Sequence, residues 1–161
     1  MNPCPCGYLG APHHQCTCSP SQIHRYRHRV SGPLLDRIDI HVEVPAVPYK
    51  ELSKDFCGEP SANIRKRIQN AREIQVERFK KDNIYSNAKM RSKHIKKYCA
   101  LKPEAQSILE AAMHKLGLSA RAYTRILKVS RTIADLAESE HIQAEHISEA
   151  IQYRTLDRGM F

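Results

Sequence analysis

SARAYTRILKVSRTIADL, residues 119–136, reads as a capped amphipathic helix and sets the character of the C-terminal two-thirds of the chain. Ser119 sits where its hydroxyl can accept from an orphan backbone N–H at the helix start. Tyr123, Ile126, Leu127, Ile133 and Leu136 fall at the spacing that gathers them on one stripe. Arg125 and Arg131 share this helix and read as surface or interface residues. The same signals recur on either side. Pro103 to Leu116 opens on Pro-Glu and stops at Gly117. Ser92 to about Cys99 makes a shorter helix, and Ser61 to Lys81 a long one carrying Ile64, Ile68, Ala71, Ile74 and Phe79. After residue 136, Ala144 to about Tyr153 turns Ile147 and Ile151 toward the bundle.

Upstream of Ser61 the character changes. Residues 47–60, with Pro, Gly, Ser and scattered charge, read as a linker. Before them Ile38-Asp39-Ile40-His41-Val42-Glu43-Val44 alternates strictly and predicts a β-strand, ended by Pro45 and Pro48. One strand cannot make a stable sheet, so this run needs partners that the sequence does not contain. Leu34 to Arg37 forms a short helical turn, set off by the breaker Ser31-Gly32-Pro33. Ser19-Pro20-Ser21-Gln22 opens a short basic helix that continues to about Arg29. The expected fold is therefore mostly α, a helical bundle preceded by a piece of an α/β core.

Composition agrees. Of 161 residues 41% are hydrophobic and 27% charged, enough to bury a core and too apolar for wholesale disorder. Trp is absent and aromatics are 6%, which suits an Ile, Leu and Ala helical core better than a β-sandwich. The net charge of +9 favours a polyanionic partner, with a merely solvated cationic surface as the competing reading. No run of some twenty apolar residues occurs, so no membrane span is expected. The N-terminus lacks the basic and apolar regions of a signal peptide, giving a cytoplasmic, reducing setting. In that setting six cysteines point to metal before disulfides.

Four of them come as Cys4-Pro-Cys6 and Cys16-Thr-Cys18, joined by a loop rich in Gly, Pro and His. Four thiolates can close a tetrahedral Zn²⁺ site and order a stretch with no apolar periodicity. Each pair is spaced more tightly than the usual C-x2-4-C, and His13 or His14 can substitute for one cysteine. Free thiols are the alternative. Cys99 reads as a buried small hydrophobe and Cys57 as a linker thiol. Just downstream, His24-Arg25-Tyr26-Arg27-His28-Arg29 suits nucleic-acid phosphates through Arg25, Arg27 and Arg29, with a stacking ring between them. A solvated helix face competes with that reading.

Four stretches together carry a resemblance. Asn2-Pro3-Cys4-Pro5-Cys6-Gly7, Ser31-Gly32-Pro33-Leu34-Leu35-Asp36-Arg37-Ile38-Asp39, the run from Ser119 to Val129, and Glu145 to Arg154 closely resemble the magnesium-chelatase-like AAA+ proteins of the bacterial ComM/YifB group. The likeness covers nearly the whole chain, in order. It implies that residues 1–58 are the C-terminal part of an AAA+ core and residues 59–161 its α-helical lid. Asn2 then corresponds to the sensor-1 amide that orients the attacking water, a role suited to a group that both donates and accepts; without the resemblance it reads as an ordinary loop residue. Arg37 corresponds to the arginine finger, which stabilises charge on the transferring phosphoryl group of a neighbouring subunit. A salt bridge from Arg37 to Asp36 or Asp39 is the alternative. Arg121, in the first turn of the lid helix, corresponds to sensor 2 and would grip nucleotide phosphates, with simple exposure near the cap as the alternative. The resemblance further implies ATP and Mg²⁺ as cofactors, a homo-hexameric ring, and DNA as the partner of a helicase-like motor in DNA processing or natural transformation.

No G-x-x-x-x-G-K-[ST] loop and no apolar strand ending in paired acids occur in the 161 residues. The chain alone is therefore not expected to hydrolyse ATP, and it reads as the C-terminal portion of such an enzyme. Two other functions fit parts of the sequence. One is a non-catalytic zinc and nucleic-acid-binding module; the other is the ATPase subunit of a metal chelatase.

Overall fold

The computed structural model describes residues 1–12, 14–44, 47 and 58–154, and its regular elements are helices. They are α1 (Pro20–Arg27), α2 (Gly32–Leu35), α3 (Ser61–Phe79), α4 (Ser92–Tyr98), α5 (Pro103–Leu116), α6 (Ala120–Leu136) and α7 (Ala144–Gln152), with a 3₁₀ turn at Asn87–Lys89. His13, Cys57 and most of the expected linker lie outside the described residues.

Local chemistry sets the helix ends. Ser119 Oγ accepts from the Ala122 N–H at 3.2 Å and so caps α6. Pro103 opens α5, and Gly117, with φ of 59°, closes it in the left-handed conformation that a Cβ would strain. Imidazoles do the same work at two other starts. His94 Nδ1 accepts from the Arg91 N–H at 3.0 Å, and His146 Nδ1 from the Gln143 N–H at 3.0 Å.

α6 is the central helix. It packs against α7, α3, α4 and the 3₁₀ turn, while α5 covers α7. Phe79, Leu109, Ile126, Leu127, Ile142 and Ile147 form the heart of the core, each 2% exposed or less. Burying one such side chain contributes about 2 kcal/mol. The expected stripes are trimmed at their edges. Tyr123 and Leu136 stay exposed on α6, and Ile64 and Ile68 on α3, where burial begins only at Ala71.

Two expectations need correction. The run Ile38–Val44 forms no strand; the one β pairing among the described residues is an isolated bridge between Leu101 and Ile142. A strand is held by a neighbouring strand's backbone groups, and none is paired with this run among the described residues. Its alternating Ile38, Ile40, Val42 and Val44 are accordingly exposed. The end of α7 holds the segment instead: the His41 N–H donates to the Tyr153 carbonyl at 2.7 Å, and the buried Arg154 guanidinium donates to the Ile38 carbonyl.

Arg131 is not a surface residue; it is 2% exposed. Its guanidinium donates to Asp135 at 3.0 Å and to the carbonyls of Glu140 and Ser139 at 2.8 and 2.6 Å. Arg78 from α3 and Asn87 from the 3₁₀ turn converge on the same carboxylate, Asn87 at 2.8 Å. Burial lowers the Arg131 pKa, against the pull of Asp135. One fully buried acid thus pairs with two arginines and ties three elements together. Asp135→Ala, which strands both cations, is expected to cost about 3–5 kcal/mol of stability in urea unfolding.

Cys99 is buried in this core, as its sequence context predicts. Burial pushes its thiol up to about 11, opposed by the nearby Arg131 and Arg78. At alkaline pH the unfolded chain's thiol ionises first while the folded one stays protonated. Stability should therefore fall as pH climbs from the ordinary thiol range toward 11, and Cys99→Ala should flatten that fall in thermal melts.

Candidate functional site

Cys4, Cys6, Cys16 and Cys18 converge, with all four sulfurs within 4.8 Å of one another. Cys4 lies 3.4 Å from Cys6 and 3.6 Å from Cys16, and Cys6 lies 3.6 Å from Cys16. A disulfide would need about 2.05 Å. Sulfurs each about 2.3 Å from a tetrahedral Zn²⁺ sit roughly 3.8 Å apart. The donor set and its spacing fit zinc.

The loop's backbone is built for this convergence. The Gly7 N–H donates to the Cys4 carbonyl at 3.1 Å, closing a tight turn around the first pair. Gly7 has a φ of 84°, and a Cβ there would approach the Asn2 side chain at 3.6 Å. Backbone N–H groups of Tyr8 and Thr17 point at the Cys6 sulfur and draw its thiol down to about 6. The N–H of Cys18 pulls Cys16 the same way, but burial and the neighbouring sulfurs outweigh it and push that thiol up to about 12. For Cys18 the N–H of Cys6 is likewise outweighed, by burial and the Cys6 sulfur, and the thiol rises. Four crowded sulfurs cannot all carry charge without a cation among them. His14, the described alternative ligand, stacks instead on Tyr8, with ring centroids 4.4 Å apart.

The cysteine loop runs directly into α1. Cys18 precedes Ser19, whose hydroxyl accepts from the Gln22 N–H at 3.3 Å while Gln22 Oε1 accepts from the Ser19 N–H at 2.8 Å. Arg27 Nε donates back to the Pro3 carbonyl at 3.2 Å, so helix and loop are tied at both ends of the cluster. Arg25 and Arg29 remain exposed and, with Ser21, His24 and His28, line an open depression. Arg29 lies 5.8 Å over the Tyr26 ring, and the His24 and His28 Nε2 atoms are 2.7 Å apart.

A second set of residues forms where α2 meets the bundle. Ser119 Oγ donates to Asp36 Oδ2 at 2.9 Å, and Arg154 approaches the other Asp36 oxygen at 3.8 Å. Asp39 pairs with Arg125. Asp36 and Asp39, the two acids nearest Arg37 in sequence, are engaged elsewhere, and Arg37 is exposed with no ion pair among the described residues. Leu35, buried two residues earlier, anchors the turn. Arg121 is also exposed, in the first turn of α6, two residues from the Ser119 cap that binds Asp36. The Asp36–Ser119 bond therefore brings the Arg37 and Arg121 segments together. Asn2 stays with the cysteine loop, over Gly7, and no hydrogen bond among the described residues joins it to either arginine. Sequence spacing gave no sign of Arg154 as a clasp, because its partners lie over a hundred residues upstream.

No described helix is long and apolar enough to cross a membrane. The profile described as Magnesium chelatase, subunit ChlI C-terminal matches residues 58–154, and that of Magnesium chelatase, subunit ChlI, matches residues 1–52. Competence protein ComM of Haemophilus influenzae is 47% identical over 159 residues, 98% of this chain and 30% of the relative. The uncharacterized proteins YifB of Escherichia coli and Salmonella typhimurium are 45% and 43% identical over the same shares. The chain thus spans about 30% of the length of these relatives. By its matched profiles and its identity to ComM and YifB, the chain belongs to the magnesium chelatase ChlI family, among its ComM/YifB-like members.

Proposed function

We propose that this chain supplies the arginine finger, Arg37, and the sensor-2 residue, Arg121, of a ring-forming AAA+ ATPase that acts on DNA. The observation that carries the reading is the state of Arg37: it is exposed beside two carboxylates that are occupied by Ser119, Arg154 and Arg125. Held on a turn anchored by Leu35, its guanidinium can enter a neighbouring subunit's site and meet charge on the transferring phosphoryl group. Arg121 stands at the start of α6, where the helix N-terminus adds its own preference for anions. Asn2 is the sensor-1 amide in this reading. Residues 1–58 then end the core and residues 59–161 form the lid of one subunit in a hexamer. Polypeptide outside the 161 residues would cradle the ATP phosphates and hold Mg²⁺.

Zn²⁺ held by Cys4, Cys6, Cys16 and Cys18 is structural here, since four protein ligands leave no open position for chemistry. Arg25, Arg27 and Arg29 face the DNA. The sulfur cluster also favours a second reading, in which the chain is a zinc and nucleic-acid-binding module without an ATPase role.

The test replaces the matched segment of the Haemophilus relative with this chain and measures ATP turnover with and without DNA. Turnover that DNA stimulates and that Arg121→Ala removes supports the ATPase reading. A chimera that binds DNA but never hydrolyses ATP, beside an active parent, favours the binding module; turnover by the short chain alone would mean the site is misplaced.

A further inference from the structure

We infer that the tip of the cysteine loop and helix α1 form one surface for single-stranded nucleic acid, with the Tyr8 ring as its base-stacking platform. This rests on the reading that the protein acts on DNA and names the site and the strand form it takes. Three observations converge on it.

The first is rigidity. Cys18 abuts the α1 cap and Arg27 reaches back to the Pro3 carbonyl, so the loop and helix share one orientation. The second is charge. No acidic residue occurs before Asp36, while Arg25 and Arg29 are exposed along α1 beside His24 and His28. The third is an aromatic that folding leaves uncovered. Tyr8 is 46% exposed and lies against the His14 ring, with centroids 4.4 Å apart.

A ring held against a neighbouring ring and nearly half exposed offers stacking surface at little entropic cost. An exposed ring and exposed cations on one tied unit are the combination that holds single strands: phosphates track the charges and bases stack on the ring. Duplex keeps its bases stacked on one another and would use only the cations, so stacking selects the single strand. An acidic protein would likewise meet only the charges.

Binding of fluorescein-labelled oligothymidylate to the zinc-loaded 161-residue chain, followed by anisotropy, tests this. Tyr8→Ala and Tyr8→Leu are each expected to weaken binding by roughly 5- to 100-fold, and Tyr8→Phe to leave it intact. Arg25→Gln with Arg29→Gln should make the slope of log K against log salt shallower by about 1.4, at about 0.7 per lost phosphate contact. Polyglutamate should fail to compete, and duplex of equal length should bind more weakly. Zinc content of each variant shows that the loop is still closed, and Tyr8→Leu serves if Tyr8→Ala loses metal. Equal affinity in Tyr8→Leu and wild type would overturn the proposal, as would equal binding of duplex or effective competition by polyglutamate. No nucleotide is turned over in this assay, so its failure leaves the Arg37 reading standing, and an inactive chimera leaves this result standing.

Discussion

Arg37→Ala in the chimera with the Haemophilus relative is expected to lower ATP turnover by about 10³-fold or more, with nucleotide affinity little changed. The size follows from what a finger does: it meets charge that develops in the transition state and barely touches the bound ground state. Arg37→Lys should recover little, because one ammonium cannot reproduce the planar guanidinium fork. Stability should hardly move, since Arg37 is exposed and Asp36 and Asp39 already have other partners. A simple salt bridge predicts the reverse, a small stability change and normal turnover. Steady-state kinetics beside a thermal melt of the same variant separates the two.

Zinc removal carries the second large effect. The purified chain is expected to hold one Zn²⁺, measured by metal analysis, and Cys4→Ser or a strong chelator should release it. Structural zinc typically supplies on the order of 10 kcal/mol of folding free energy to a small domain. Little besides the cysteines orders residues 3–18, where Cys4 is the one buried residue among those described. Hydrogen exchange should therefore show that stretch and the start of α1 losing protection together, while α5, α6 and α7 keep theirs. Cys99, buried in the helical core and not a member of the sulfur cluster, is the internal control: Cys99→Ala should retain the metal in full. Metal-free protein with the loop still protected would mean that the four thiols pack without a cation.

How much of this was legible in the sequence depended on whether the forces involved were local. Ser119, Pro103 and Gly117 act within a few residues, so α5 and α6 were readable from their caps and spacing. The four cysteines were readable too, because two close pairs across a short loop leave few ways to arrange the sulfurs. Arg131 misled for the opposite reason. On the helix it and Asp135 look like an ordinary exposed pair four residues apart, and burial comes from Arg78, which lies 57 residues before Asp135. The run Ile38–Val44 has the alternation of a strand, but a ladder depends on neighbouring backbone that the described residues do not provide. The engagement of Asp36 and Asp39, on which the reading of Arg37 turns, spans 83 and 86 residues and left no mark on local spacing.

Subunit mixing is the decisive measurement. Chimeric subunits carrying Arg37→Ala are combined with chimeric subunits in which the lysine proposed to bind the ATP phosphates, in the relative's own segment, is replaced. Each alone is expected to be inactive. Together, mixed rings are expected to place an intact Arg37 beside an intact nucleotide site, and ATP turnover should return to a fraction set by the mixing ratio. No recovery at any ratio, in rings shown to contain both subunits, would contradict a finger that acts across the subunit boundary.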